Sequence, residues 1–417
     1  MPASRALAAA LALLLVAAMP VRATTPPAIT VVDSIFPGPD DSYAMDLSDS
    51  VAFKGYLYFV ATDGIYGEVL WRTNGTSTTL VKDISSPSNF APMGDYLYFT
   101  AYDGTSGYEL WRTDGTEAGT TLVKDINAGS GGADGSYPAH YVQLGDYLYF
   151  SATQDTTGSE LWRTDGTEAG TTLVKDIRSG VGESSSPIYL TVVGDYIYFN
   201  AVDTANGMEL WRTDGTEAGT TLVKDIANGT DGSGPSNLFA FGDYVYFQAN
   251  DGTSGYELWR TDGTEAGTTL VKDIRSGAAS SDPYAFALLG DYLYFTADDG
   301  TSGYELWRTD GTEAGTTLVK DIRSGAGSSN AIYFTRLGDY LYFRANDGTS
   351  DFELWRTDGT EAGTTLIEDI HSFSGSYPEN FTPLGDYLYF KANDSTHDRE
   401  IWRTDGTTTQ RVPFPEV

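Results

Sequence analysis

The sequence predicts an all-β protein, an eight-bladed β-propeller built from four-stranded antiparallel blades. The first observation is a repeat of roughly 48 residues, a period typical of propellers, solenoids and arrays. Each repeat contains one tryptophan and four short β-rich runs, separated by two loops and one Gly-Asp turn. The middle runs carry large apolar residues on both faces, so each sheet needs a neighbour on either side. We interpret the repeated tryptophans as structural: Trp71, Trp111, Trp162, Trp211, Trp259, Trp307, Trp355 and Trp402.

Residues 1–23 are predicted to be a secretory signal peptide. The apolar stretch Ala6–Met19 is followed by small residues at Val21 and Ala23, where a signal peptidase cleaves. Residues 24–417 are expected to form a single propeller domain of eight repeats. No later stretch reaches the roughly 18 apolar residues of a membrane span. We therefore expect a secreted protein, extracellular or periplasmic, without a membrane span.

A strand at the N-terminus is predicted to close the ring. Residues 29–35, within a segment of about 28–35, have the pattern of the fourth strand of a repeat but precede repeat 1. This clasp strand would lie beside the strand of Trp402 and complete blade 8. The competing candidate is segment 408–414, which has prolines nearby and matches the pattern less well.

Loop lengths predict a strand register. The six-residue loop between the third and fourth strands places Glu257 opposite Lys272, an ion pair that five repeats share. In repeat 7 the lysine is replaced by Glu368, and the neighbouring strand supplies Arg344 beside Glu353 instead. This pattern gives the repeated glutamate a structural role.

Aspartates recur on the edge of each blade where the second and fourth strands end. We interpret them as turn caps, with calcium as the alternative because Ca²⁺ takes six to eight oxygen ligands. No repeat has the spacing of a dedicated calcium loop. The candidate ligand-binding residues on this edge are Asp203, Asp251, Asp299 and Asp347. The candidate metal ligands are Asp251, Asp273, Asp299 and Asp321. Apart from calcium, we expect no cofactor.

Composition excludes several function classes. A formal net charge of −33 disfavours nucleic acid and anionic lipid as partners. The three histidines, His140, His371 and His397, are scattered, and there is no cysteine. No catalytic motif stands out, so we assign no catalytic residue. The connections between the fourth strand and the next first strand vary most, and recognition is expected there.

The repeat also resembles a known family. The string at Glu109–Thr120 and Glu257–Thr268, with Leu122–Ile126 after it and Gly94–Phe99 before it, is similar to the repeat of bacterial ELWxxDGT-repeat proteins. This resemblance implies an extracellular bacterial protein of propeller-like build, with no settled biochemical activity.

These observations favour a secreted, non-enzymatic, multivalent binding or scaffolding module. Its partner is expected to be a glycan, a protein or another cell-surface component, because eight similar surfaces suit multivalent binding. One alternative is an extracellular polysaccharide hydrolase or lyase, which predicts a pocket where one or two blades break the repeat. The other is a calcium-dependent structural or adhesion element.

Overall fold

The computed structural model describes residues 50–62, 67–128, 135–371, 374–394, 396 and 399–412. The predicted signal peptide and the predicted clasp segment lie outside these residues. So does His397.

The predicted fold class is confirmed: the protein is an all-β, eight-bladed β-propeller. The described residues form eight four-stranded antiparallel sheets, which we call blades 1 to 8, and they contain no helix. In each blade four consecutive strands lie side by side in chain order. We call them strands a, b, c and d.

The strands are short, and they recur in the same order in every blade. Strands a are β1 (Val51–Phe53), β5 (Ser85–Met93), β9 (Ala139–Leu144), β13 (Ile188–Val193), β17 (Ser236–Phe241), β21 (Tyr284–Leu289), β25 (Ile332–Leu337) and β29 (Glu379–Leu384). Strands b are β2 (Tyr56–Ala61), β6 (Tyr96–Tyr102), β10 (Tyr147–Gln154), β14 (Tyr196–Asp203), β18 (Tyr244–Asn250), β22 (Tyr292–Asp298), β26 (Tyr340–Asn346) and β30 (Tyr387–Ala392). Strands c are β3 (Val69–Thr73), β7 (Tyr108–Thr113), β11 (Gly158–Thr164), β15 (Gly207–Thr213), β19 (Tyr256–Thr261), β23 (Tyr304–Thr309), β27 (Phe352–Thr357) and β31 (Glu400–Thr404). Strands d are β4 (Thr78–Lys82), β8 (Thr121–Lys124), β12 (Thr172–Lys175), β16 (Thr221–Lys224), β20 (Thr269–Lys272), β24 (Thr317–Lys320), β28 (Thr365–Glu368) and β32 (Thr409–Arg411).

The chain divides into two compact units, each with its own cores. Unit 1 comprises Met1–Asp203 and Thr213–Thr221, and unit 2 comprises Thr204–Arg212 and Leu222–Val417. In both units the apolar clusters join one blade to the next. One cluster of unit 1 combines residues of blades 2 and 3: Tyr98, Leu110, Val123, Ile126, Leu148, Phe150 and Trp162. One cluster of unit 2 combines residues of blades 5 and 6 in the same way: Tyr246, Leu258, Val271, Ile274, Leu293, Phe295 and Trp307. The apolar side chains on both sheet faces are thus buried between blades, as the sequence predicts.

Polar contacts also connect successive blades. Arg308 of strand c donates from Nη1 to the carbonyl oxygen of Gly359 in the following blade, at 2.8 Å. Its guanidinium carbon lies 4.6 Å from the ring centroid of Tyr292 in its own blade. Lys272 donates from Nζ to the carbonyl oxygen of Thr316 in the following blade, at 2.8 Å. These contacts recur along the chain and tie a blade to the one that follows it in the sequence.

The predicted register of strand d is wrong by one residue. Arg260 pairs with Thr269, but a bulge follows, and Leu258 rather than Glu257 pairs with Lys272. A β-bulge inserts one extra residue into one strand, which shifts every later partner. The predicted pairing of Glu257 with Lys272 is therefore absent.

The register between strands b and c differs from the prediction as well. Ala345 pairs with Glu353, and Arg344 pairs with Leu354. Because alternate residues of a strand point to opposite faces, this shift moves Arg344 away from the face of Glu353. The predicted contact between Arg344 and Glu353 is wrong for this reason.

The C-terminal segment provides strand d of blade 8. Strand β32, Thr409–Arg411, pairs with β31 through Trp402 and Arg411. The prediction that the N-terminal clasp takes this position is wrong. A hairpin of adjacent strands closes a short loop, and its entropic cost is lower than that of bringing the two chain ends together.

Candidate functional site

The predicted site residues lie on one edge of each blade, the edge that carries the b–c loop and the d–a connection. We call it the loop edge. Its predicted aspartates cap their own loops. The Oδ1 atom of Asp251 accepts hydrogen bonds from the backbone N–H of Thr253 and Ser254, both at 2.8 Å. Asp299 and Asp347 repeat this geometry at the same distances.

The titration of these capping aspartates agrees with that geometry. Burial raises the pKa of Asp251, but the hydrogen bonds from Ser254 and Thr253 together lower it by a larger amount. The pKa of Asp251 therefore lies below its usual value. The same balance lowers the pKa of Asp299 and Asp347. Each carboxylate is therefore ionised at neutral pH and already occupied by donors of its own loop.

The remaining aspartates of the prediction lie at the ends of strands b and d. Asp203 is the half-buried last residue of β14. Asp273 and Asp321 each accept one backbone N–H at Oδ2, from Gly277 at 3.3 Å and from Gly325 at 3.1 Å. Their Oδ1 atoms are buried and have no hydrogen-bond partner among the described residues.

These aspartates fit a calcium site poorly. Ca²⁺ needs six to eight oxygen ligands, and the Oδ1 atoms of Asp251 and Asp299 already face backbone N–H donors. In the described part of the chain, no three acidic or histidine side chains come close enough together to hold a metal ion. We derive no chemistry through calcium.

A fully buried glutamate organises each d–a connection from blade 2 to blade 8. The Oε2 atom of Glu257 accepts hydrogen bonds from the backbone N–H of Ile274 at 2.9 Å and from Ser281 Oγ at 2.6 Å. Its Oε1 atom accepts the backbone N–H of Ser281 at 2.9 Å. The glutamates with no exposed surface are Glu109, Glu160, Glu209, Glu257, Glu305 and Glu353. Each holds the two ends of its connection in place, which is a structural role.

The tryptophans lie in the inter-blade cores. Trp259, Trp307 and Trp355 are each 6 % exposed. Trp71 and Trp402, at the two ends of the repeat series, are half-buried. The six buried rings, those of blades 2 to 7, are not available as binding platforms.

Exposed aromatic rings lie instead on the loop edge, where each d–a connection enters strand a. Tyr137 is 52 % exposed and Tyr189 is 41 % exposed, both in unit 1. Tyr333 is 49 % exposed and Tyr377 is 41 % exposed, both in unit 2. Single exposed apolar residues are common on protein surfaces, but these four occupy two equivalent positions of the repeat.

The backbone at these positions is left-handed. His140, Tyr189 and Tyr333 each lie two residues after the proline or alanine that precedes strand a, with φ angles of 60°, 59° and 63°. A left-handed conformation costs a non-glycine residue about 1–2 kcal/mol, and bulky residues in it cluster at functional sites. The register between strand a and strand b shifts at this point, for example between Ile188 and Thr191. The resulting bulge turns these side chains outward.

A pocket of about 370 Å³ opens beside two of these residues in unit 1. It is lined by His140, Tyr141, Ile188, Tyr189 and Leu190. Surrounding protein atoms lower the pKa of His140 because they disfavour its charged form. The lining thus combines aromatic and aliphatic side chains, with one imidazole and two phenols as its polar side-chain groups. No carboxylate lines it, so an acid–base carboxylate pair is not available in this pocket.

A second aromatic group lies on the loop edge of blade 7. We call it the blade 7 patch; it consists of Tyr333, Arg344, Phe352 and Tyr377. The guanidinium carbon of Arg344 is 4.7 Å from the ring centroid of Tyr333 and 5.2 Å from that of Phe352. The rings of Phe352 and Tyr377 are 5.7 Å apart.

The sequence indicated the loop edge, and the variable connections that it singled out contain Tyr137 and Tyr377 but not His140, Tyr189 or Tyr333. It also assigned Arg344 to an ion pair with Glu353. A signal was present, because the second residue after the proline or alanine varies between repeats: Asn89, His140, Tyr189, Asn237, Ala285, Tyr333 and Asn380. This position varies while the residues around it repeat, so the sequence could have indicated it. That its side chain is exposed became evident only from the structure.

Comparisons with known proteins are limited to distant structural likeness. No family profile and no curated protein sequence matches the chain significantly. The computationally designed Ika8 protein is similar at 12 % identity and a TM-score of 0.45, over 89 % of this chain and 97 % of that protein. A prolyl endopeptidase is similar at 14 % identity and a TM-score of 0.46, over 85 % of this chain and 53 % of that protein. A puromycin-hydrolysing peptidase of Mycobacterium tuberculosis is similar at 12 % identity and a TM-score of 0.44, over 82 % of this chain and 57 % of that protein. The chain thus spans a little over half the length of these two peptidases.

The sequence predicted no membrane span after the signal peptide. This part of the chain contains no helix that is long and apolar enough to cross a bilayer.

Proposed function

We propose that the protein is a secreted, non-enzymatic module that binds a largely neutral extracellular glycan through the loop edge. The observation that carries this proposal is the set of exposed tyrosines: Tyr137, Tyr189, Tyr333 and Tyr377. A tyrosine ring offers an apolar face and a polar hydroxyl, which matches the apolar and hydroxyl-bearing sides of a pyranose. Tyrosine also provides contact area at a low cost in side-chain entropy.

The charge of the protein narrows the ligand class. A net charge of −33 repels polyanions at long range. A neutral polysaccharide avoids this repulsion and presents many equivalent units. Several weak sites on one rigid body then gain avidity without a strong single contact.

The test is affinity electrophoresis of the mature protein in gels that contain laminarin, a neutral β-glucan, or alginate, a polyanion. We expect retardation by laminarin and none by alginate. Replacing Tyr137 and Tyr189 by Ala should weaken retardation, by roughly fivefold per ring if each stacking contact contributes about 1 kcal/mol. Leu288→Ala is the matched control, since Leu288 is 38 % exposed but lies near the a–b turn, at the other end of strand a.

Unchanged retardation after loss of all four tyrosines would contradict the proposal. So would the absence of retardation across a panel of neutral polysaccharides.

A polysaccharide hydrolase or lyase is the second candidate. The observation that favours it is the pocket beside His140. Its test is the release of reducing ends or unsaturated products from a polysaccharide panel, with His140→Ala as the inactive variant. Equal product release by the wild type and His140→Ala would contradict a catalytic pocket.

A further inference from the structure

Arg344 occupies a repeat position that other blades use for a hydrogen bond. Gln248 of blade 5 donates from Nε2 to Asp282 Oδ1 in the next d–a connection, at 3.1 Å. At the same position of blade 6, the hydroxyl of Thr296 donates to the carbonyl oxygen of Ala331. Arg344 of blade 7 makes no such contact.

The guanidinium of Arg344 has stacking partners but no acceptor. Its guanidinium carbon lies over the rings of Tyr333 and Phe352, at the distances given above. Its Nε atom is buried and has no hydrogen-bond partner, and no ion pair joins this side chain to any residue that the structure describes. A buried donor without an acceptor costs about 1–3 kcal/mol. Nε is therefore the unsatisfied donor of the blade 7 patch.

The carboxylates of the same edge are already engaged by neutral donors. Asp351 accepts Asn346 Nδ2 at 2.8 Å and the Tyr377 hydroxyl at 3.0 Å. Asp347 accepts the N–H groups of its own loop. The patch thus presents one cation without a described acceptor, over the exposed ring of Tyr333 and beside the Phe352–Tyr377 ring pair.

We propose that the blade 7 patch is a carboxylate subsite that recognises an acidic sugar residue, a uronic acid, within an otherwise neutral glycan. The planar N–H fork of arginine matches a carboxylate in two parallel hydrogen bonds. The sugar ring then stacks on Tyr333 or Tyr377. The net charge of the protein limits the ligand to isolated acidic units. This inference rests on the proposed glycan-binding function.

The test compares methyl β-glucuronide with methyl β-glucoside by titration calorimetry on the mature protein. The two sugars differ only at C6, which is a carboxylate in the first and a hydroxymethyl group in the second. We expect the glucuronide to bind about tenfold more tightly, the magnitude of a charge-assisted contact. Arg344→Gln should remove this preference. Blade 5 has a glutamine, Gln248, at the same repeat position, so a blade of this repeat can accommodate the substitution. Arg336→Gln is the control, because Arg336 is bonded at the far end of its strand.

If Arg344→Gln does not fold, a gain-of-function variant of blade 5 tests the same carboxylate subsite. Blade 5 already has Tyr256 at the position of Phe352. Asn237→Tyr, Gln248→Arg and Asp282→Tyr together rebuild the blade 7 patch there, and the stoichiometry for the glucuronide should rise from one to two.

The outcomes separate the two proposals. Equal affinity for both sugars, unchanged by Arg344→Gln, overturns the carboxylate subsite and leaves glycan binding standing. Binding of neither sugar, together with no retardation by neutral polysaccharides, overturns both.

Discussion

Replacing Glu353 by Gln should abolish the pH dependence that this buried carboxyl imposes on stability. Glu353 has no exposed surface. It accepts hydrogen bonds from Ser376 N at 2.7 Å, Ser376 Oγ at 2.6 Å and Ile370 N at 3.2 Å. Burial nevertheless outweighs these donors and raises the pKa of Glu353 from 4.5 to about 7.

The sign and the magnitude follow from linkage. Between about pH 4.5 and 7 the folded state keeps a proton that the unfolded state has lost, so the free energy of unfolding falls as pH rises through this window. At about 1.4 kcal/mol per pH unit, the carboxyl costs about 3 kcal/mol above pH 7. Glutamine resembles the protonated acid but has one acceptor fewer for the Ile370 and Ser376 donors, a loss of about 1 kcal/mol. We expect Glu353→Gln to be about 2 kcal/mol more stable than the wild type at pH 8 and within about 0.5 kcal/mol of it at pH 5, where the wild type has already lost about 0.7 kcal/mol.

The assay is urea unfolding at pH 5, 6, 7 and 8, followed by the fluorescence of the tryptophans in the inter-blade cores. Glu361→Gln is the matched control, since Glu361 is exposed and its replacement should leave the pH profile unchanged. A Glu353→Gln variant that loses the same stability at every pH would refute the reasoning. That result would mean that the hydrogen bonds, and not burial, dominate the energy of this carboxyl.

Two further predictions concern the loops that carry the repeat signature. Gly359→Ala should destabilise by about 2–4 kcal/mol in urea unfolding, because Gly359 has a φ of 92° and an added Cβ would lie 2.1 Å from the Tyr294 hydroxyl oxygen. Gly385→Ala, at a φ of 60° with nothing within 4 Å, should cost about 1 kcal/mol; equal losses would argue against the inter-blade clash. Asp310→Asn should change stability by less than about 0.5 kcal/mol, since Asn74 caps the same loop in blade 1 through its amide oxygen, whereas Asp310→Ala should cost about 1 kcal/mol. Similar losses for the amide and alanine variants, measured side by side, would contradict the capping role of Asp310.

Much of the blade could be predicted because its signals are local. The Asp-Gly loops carry their own caps, as Asp310 does through Thr312, and the apolar residues of strands b and c define a sheet that is covered on both faces. The register could not be predicted in the same way. A bulge between Leu258 and Trp259 inserts one residue without changing any loop length. Its effect on Glu257 was therefore invisible to a count of positions.

The candidate site shows the same division. The sequence indicated the loop edge, because the connections that enter strand a vary between repeats. It did not indicate Tyr189 or Tyr333, since a tyrosine in a strand is more often buried than exposed in this repeat. The left-handed backbone at these residues, with φ near 60°, points their side chains outward, and this backbone depends on the bulge that the neighbouring strand imposes.

The sequence by itself determined the repeat, the four strands of each blade and the burial of apolar faces between blades. These features depend on periodicity and turn chemistry, which act over a few residues. The tertiary structure decided which carboxylates are occupied by donors, which strand completes blade 8 and that Arg344 lacks an acceptor. Such outcomes depend on contacts between residues that are distant in the chain, and a single shift of register exchanges one set of partners for another.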